Sequence, residues 1–252
     1  MDEQRPILSL DEELAYFNTI PWCRASLSRD DVITIPRLSA IKHEPMHSDH
    51  LFKYTLNTPL AVPHSLIAFP DPSVTRPTSL ANNDTSPWLP LTSLSMFYAL
   101  GDGLCGFQDL CHGGVQATLL DEVAGVLAII NVRLQNGIAT TKYPERCSPD
   151  SNPGMLDLRK SLFATQGMEI TFLRPLRLPK VVEVAVQVPG HVTGWQWIYH
   201  FWCDQRWRWK RVLKVQGHLG DTTAKGQAVT KPATTSPKPP SSSKFGQPPA
   251  VR

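Results

Sequence analysis

Cys111-His112-Gly113-Gly114-Val115-Gln116-Ala117-Thr118-Leu119-Leu120-Asp121-Glu122 is the stretch on which the reading of this chain turns. The glycine pair opens a predicted helix that runs to about Ile130, and two acids sit two turns inside an otherwise apolar run. A helix start presents unpaired N–H groups and the positive end of the dipole to a developing negative oxygen. A carboxylate within an apolar helix is costly unless something uses it. Together they suit a site that polarises a carbonyl and attacks it.

The helix has two distinct faces. Val115, Leu119, Val123, Val126, Leu127 and Ile130 form a broad apolar stripe for a core. Gly114, Thr118, Asp121 and Gly125 form a small, polar face that another backbone or a ligand can approach. Asp121 and Glu122 stand about 100° apart around the axis and cannot enter one pocket together. Asp121 lies on the small face and is the better candidate; Glu122 reads as a structural carboxylate. From Gly113 to Asp121 is ~12 Å along the axis. One small carbonyl cannot touch both within one subunit, so a site using both is composite, at the interface of two copies.

Outward from the helix, Ser9 to Ile20 reads as a capped helix, with Ser9 and Glu12 as a capping box and Pro21 ending it. Asp30–Ile35 and Leu51–Leu56 read as short strands, and Pro59–Pro90 as a surface excursion. Leu94–Leu100 reads as a strand closed by Gly101-Asp102-Gly103, and Asn136–Gly154 as a surface loop. Strand-like runs follow at Ser161–Leu173, Val181–Val188, Trp195–Cys203 and Trp207–Gly217. The predicted class is α+β, one long helix packed on one curled antiparallel sheet. The predicted domains are an N-terminal extension over 1–90, a core over 91–219 and a Pro/Ser/Thr/Lys-rich disordered tail over 220–252.

Composition narrows the classes. The 25 Lys and Arg nearly balance the 22 Asp and Glu, which argues against non-specific nucleic-acid binding. Five cysteines, with no CxxC pair, indicate neither a disulfide framework nor a metal site, and point to a reducing interior. The N-terminus has no secretory or transit character, and the best apolar run, Val123–Ile130, is too short for a membrane span. The expectation is a cytoplasmic protein with no membrane partner. Five of the seven tryptophans lie between Trp195 and Trp209; Trp195, Trp197, Tyr199 and Phe201 alternate along one strand, and Trp207 and Trp209 alternate with Arg206, Arg208 and Lys210 on the next. That pattern fits a packed sheet face, an aromatic acyl tunnel or a stacking surface for single-stranded nucleic acid; the charge balance favours the packed face.

The His112-Gly113-Gly114 turn, with Asp121-Glu122 on the same helix, resembles the hotdog-fold acyl-CoA thioesterases of the phenylacetate-pathway and thioesterase-superfamily-member type. Thr165-Gln166-Gly167-Met168-Glu169-Ile170-Thr171-Phe172-Leu173-Arg174-Pro175 resembles that family's strand after the helix, and Val212–Gly217 its closing strand. The N-terminal segment is similar to fungal members, some of them in secondary-metabolite pathways. The resemblance implies one central helix wrapped by about five to six antiparallel strands, in a homodimer or a dimer of dimers. It implies Asp121 as general base or nucleophile, the Gly113 and Gly114 N–H groups as carbonyl polarisers, and Thr165 as holder of the attacking water. It places His112 beside the thioester, a hydrogen-bonded turn residue being the alternative. Arg174, Arg177 and Lys180 would meet coenzyme A phosphates, or else form a solvated rim. Coenzyme A enters as part of the substrate; no separate cofactor or metal is implied. Relatives carry a polar residue shortly before the glycine pair, where only Gln108 or Asp109 can substitute. A Cys111–His112 nucleophile pair is disfavoured, because neighbours in an extended turn point apart. The rival readings are an acyl-binding protein without turnover and a dehydratase-type hotdog enzyme.

Overall fold

The structure, a computed structural model, describes residues 6–38, 50–72, 88–138, 147–160, 165, 168, 170, 172, 174–188, 197–202 and 208–213. The tail over 220–252 and the side chains of the Trp195–Trp209 stretch lie outside the described residues, as does most of Ser161–Leu173. The described members of that last run, Thr165, Met168, Ile170 and Phe172, belong to no named strand.

Helix α1 (Leu10–Asn18) starts where the capping box places it. Ser9 accepts from the Glu12 N–H, and the Glu12 carboxylate accepts from the Ser9 N–H at 2.7 Å. Pro21 does more than end it: it opens a second helix, α2 (Pro21–Leu27), at a position where its missing N–H costs nothing. Strand β1 (Val32–Pro36) follows, an edge strand, where a proline is tolerated.

Two expectations for the next stretch need correction. Leu51–Thr55 is a turn of π-helix, closed by the Leu56 N–H on the Leu51 carbonyl at 2.8 Å, not a strand. Phe52 is buried and Leu56 half-buried, four residues apart on one helical side. The supposed surface excursion contains strand β2 (His64–Pro70), buried from Ser65 through Phe69.

Strands β3 (Ser93–Leu100), β6 (Lys180–Gln187), β7 (Trp197–Trp202) and β8 (Arg208–Leu213) complete a six-stranded sheet ordered β1-β2-β3-β6-β7-β8. Every neighbouring pair is antiparallel. Between β3 and β6 lie a small hairpin, β4 (Cys105–Phe107) and β5 (Leu110–Cys111), and helix α3 (Gly113–Gln135). The sheet therefore crosses the expected boundary at residue 91, drawing β1 and β2 from the N-terminal segment.

Strand alternation gives the sheet two buried faces. Ile67, Phe69, Met96, Tyr98, Val182 and Val184 join Leu119, Val123, Val126, Leu127 and Ile130 of α3 in the main core. Leu66, Ala68 and Phe97 face the other way and pack on Phe17, Cys23 and Leu27 of α1 and α2. Helix α3 is long and apolar enough to cross a membrane by length and composition alone. Its apolar stripe instead packs in the main core.

Helix α3 runs five residues past Ile130. Asn131 interrupts the apolar pattern but is fully buried, bonding Leu91 N–H at 3.0 Å and Leu91 carbonyl at 2.9 Å. The helix ends in a Schellman motif. Gly137, at φ +67°, donates to Leu134, and Ile138 donates to Arg133 at 2.8 Å. Cys147, inside the expected surface loop beyond it, is buried in the core, as is Leu158 just after that loop, and the Gln135 side chain clasps Leu156 and Leu158 at 2.7 Å each.

Candidate active site

The start of α3 is built from the hairpin before it. Asp109 takes a left-handed conformation (φ 57°) that turns β4 into β5. His112 then caps the helix: its N–H donates to the Leu104 carbonyl at 2.9 Å, and its Nδ1 accepts from the Gly114 N–H at 3.0 Å. With Nδ1 accepting, the ring carries a proton on Nε2, which has no hydrogen bond among the described residues. The ring rests on the Gly106 backbone, where a Cβ would lie 2.8 Å from His112 Cδ2.

The resemblance offered both glycine N–H groups to a substrate, but the structure distinguishes them. The Gly114 N–H is held by His112. The Gly113 N–H has no hydrogen bond among the described residues. The Phe172 ring lies against Gly113, 3.2 Å from where its Cβ would be, and is half-exposed. Sequence reading missed this contact; its one signal was parity with Met168 and Ile170, which pack on the core.

Two turns along, Asp121 is exposed and accepts a 2.5 Å hydrogen bond from the Thr165 hydroxyl. The Thr118 hydroxyl is turned back to the Gly114 carbonyl at 3.0 Å. Among the described residues, a Cβ on Gly125 would meet nothing within 4 Å beyond its own helix, so the small face of α3 is open at that position. Glu122 is half-buried and engaged with neighbours. The single chain thus forms two clusters, His112–Gly113–Gly114–Phe172 and Asp121–Thr165, separated by about 12 Å of helix.

The basic residues are spread along the chain segment that leads into β6. The Cys111 N–H donates to the Leu176 carbonyl at 2.8 Å and the Leu178 N–H to the Asp109 carbonyl at 3.1 Å, which sets Arg177 opposite Leu110 beside the helix start. Arg174 is exposed and makes its own interaction, and Lys180 opens β6 opposite Leu100. Gln108 and Asp109 both sit in the β4–β5 turn. Among the described residues no group of three His, Cys, Asp or Glu is placed to hold a metal ion.

A cavity of about 300 Å³ lies on the other face of the sheet and contains none of these residues. Ser95 donates to Glu183 there at 2.7 Å, and burial pushes the Glu183 carboxyl above its ordinary range.

Comparison with known proteins bears on the family and the fold. The family model described as Thioesterase superfamily matches residues 108–189, from the β4–β5 turn through β6. Verlamelin biosynthesis protein B of Lecanicillium sp is 46% identical over 177 residues, covering 70% of this chain and 74% of that protein.

Proposed function

The chain belongs to the thioesterase superfamily, and on that premise we propose that it hydrolyses an acyl thioester to a free acid and a thiol. Its fold is the hotdog, with α3 packed on an antiparallel sheet. The substrate is an acyl-CoA or a carrier-bound acyl group, in the cytoplasm, and the setting is a biosynthetic pathway, the one part of this reading that the name of the Lecanicillium relative supports.

The observation that carries this reading is the Asp121 carboxylate, exposed on the open face of α3 with the Thr165 hydroxyl on one of its oxygens. Asp121 takes a proton from water, with Thr165 fixing carboxylate and water together. The oxygen of that water bonds to the thioester carbon, and the carbonyl electrons move onto oxygen. The Gly113 N–H stabilises that oxyanion, joined by Gly114 where His112 releases it; one such donor is worth ~3 kcal/mol. Collapse breaks the C–S bond, and the thiolate leaves with the proton that Asp121 took from water. His112, exposed at the helix start, offers its Nε2–H as a hydrogen-bond donor to the departing sulfur. Arg174, Arg177 and Lys180 supply charge for the phosphates of coenzyme A. The two clusters lie too far apart to share one carbonyl, so each site takes Asp121 and Thr165 from one copy and the helix start from the other, in a homodimer or a dimer of dimers.

The test is hydrolysis across aryl, short, medium and long acyl-CoAs by the native protein and by Asp121→Asn. Turnover that drops by two to four orders of magnitude, about what a positioned base contributes, supports the assignment. Equal activity in both would falsify it. A second reading, acyl binding without turnover, draws on the Gly114 N–H already held by His112; it predicts thioester binding with no hydrolysis by the native chain.

A further inference from the structure

Cys105 and Cys111 are partners across the β4–β5 hairpin that leads into His112. Directly opposed residues of an antiparallel pair place their side chains on the same face. The neighbouring position, Leu104 opposite His112, carries the cross-strand hydrogen bond, and the Cys111 N–H points away from Cys105 to the Leu176 carbonyl. Cys105–Cys111 is therefore a non-hydrogen-bonded pair, for which Cα atoms sit about 4.5 Å apart. That separation falls inside the range of about 4.4–6.8 Å that a disulfide spans. Both are free thiols, Cys111 buried and Cys105 half-buried.

We propose that Cys105 and Cys111 are a redox modification site, closing to a reversible cross-strand disulfide when the protein meets a peroxide. Cys105 is the more accessible thiol and reacts first. Burial pushes the Cys111 thiol up to about 12, with Cys105 adding to the effect, so Cys111 is the poorer nucleophile and is left for the second step, which it enters through its minor thiolate form. In the first step the Cys105 sulfur bonds to a peroxide oxygen, the O–O bond breaks, and water or an alcohol leaves. The sulfur is oxidised to a sulfenic acid and the peroxide is reduced. In the second step the Cys111 sulfur bonds to the Cys105 sulfur, the S–O bond breaks, and its oxygen leaves as water with the Cys111 proton. The link would clamp the hairpin on which the His112 ring rests. It does not depend on thioester hydrolysis.

The full-length protein is treated with a small excess of hydrogen peroxide, its thiols are alkylated, and it is digested with chymotrypsin, which cuts after Phe107 between the two cysteines. The expected product is one linked pair of fragments, two hydrogens lighter than the dithiol, with dithiothreitol restoring both alkylation sites. In Cys111→Ser the sulfenic acid has no partner, so trapping of Cys105 by dimedone should rise severalfold over the native protein. Cys105→Ser should leave Cys111 alkylatable throughout. The proposal is overturned if both native cysteines remain alkylatable, if Cys105 passes to sulfinic acid with Cys111 still free, or if dimedone trapping is the same in native and Cys111→Ser proteins. Because each readout is a mass, failure here leaves the thioesterase reading untouched, and the reverse.

Discussion

The Thr165 hydroxyl donates to Asp121 Oδ1 at 2.5 Å, joining residues 44 positions apart on the open face of α3. A hydrogen bond to a charged acceptor is worth about 1.5–3 kcal/mol, or roughly ten- to a hundredfold in rate if it holds the carboxylate and water in place. Thr165→Val should lower kcat for thioester hydrolysis by about tenfold or more, with KM little changed, and Thr165→Ser should recover most of it. Loss of KM alone in Thr165→Val would place Thr165 in binding instead.

His112 has two separable functions. As N-cap its Nδ1 satisfies the Gly114 N–H, and replacing such a cap by alanine costs about 0.5–2 kcal/mol. His112→Ala should therefore lower stability by that amount in urea unfolding, while His112→Asn should restore it, since asparagine caps equally well. If Nε2–H serves the substrate, His112→Asn should remain stable and yet lose activity. An asparagine variant with native turnover would leave His112 a turn residue only.

What the sequence made legible was what it encodes locally. Ser9 and Glu12 announce α1 within four residues, and the spacing of Gly114, Thr118, Asp121 and Gly125 announces the open face of α3. Strand β2 was hidden because Ser65–Phe69 is buried on both faces, which erases the alternation that marks a half-exposed strand. The last turn of α3 was hidden because Asn131 looks like a stop, and only the fold supplies Leu91 as its partner. In the site, His112 and the glycines could be read as a helix start from their order alone. The meeting of Thr165 with Asp121 came only from family resemblance, and the Phe172 ring on Gly113 from neither. The Cys105–Cys111 pairing likewise depends on hairpin register, which a scan for CxxC cannot see.

Gly125 tests the composite site. Its Cβ position is open in the single chain, and glycine inside a helix costs about 1 kcal/mol relative to alanine. Gly125→Ala should therefore leave chain stability equal or higher. Gly125→Leu projects a larger side chain from the same open face and should shift the sedimentation equilibrium toward monomer, with turnover falling in proportion to the dimer lost. A Gly125→Leu protein that sediments and turns over as the native one does would remove this face from the interface.

Glu183 gives a pH dependence whose sign is fixed. Burial raises its carboxyl above the ordinary value of 4.5, and the Ser95 hydrogen bond opposes this only in part. Below 4.5 both folded and unfolded chains hold the proton, and Glu183 contributes no pH dependence. As pH rises past 4.5 the unfolded chain releases its proton first, so the stability that the protonated side chain contributes is lost progressively up to the folded-state value. Glu183→Gln keeps the shape and an acceptor for Ser95 without a titrating proton. Urea unfolding from about pH 4 to 8 should show native stability falling relative to Glu183→Gln across that window and the gap levelling above it. Parallel stability curves would mean that water reaches the carboxyl through the cavity and keeps its ionisation ordinary.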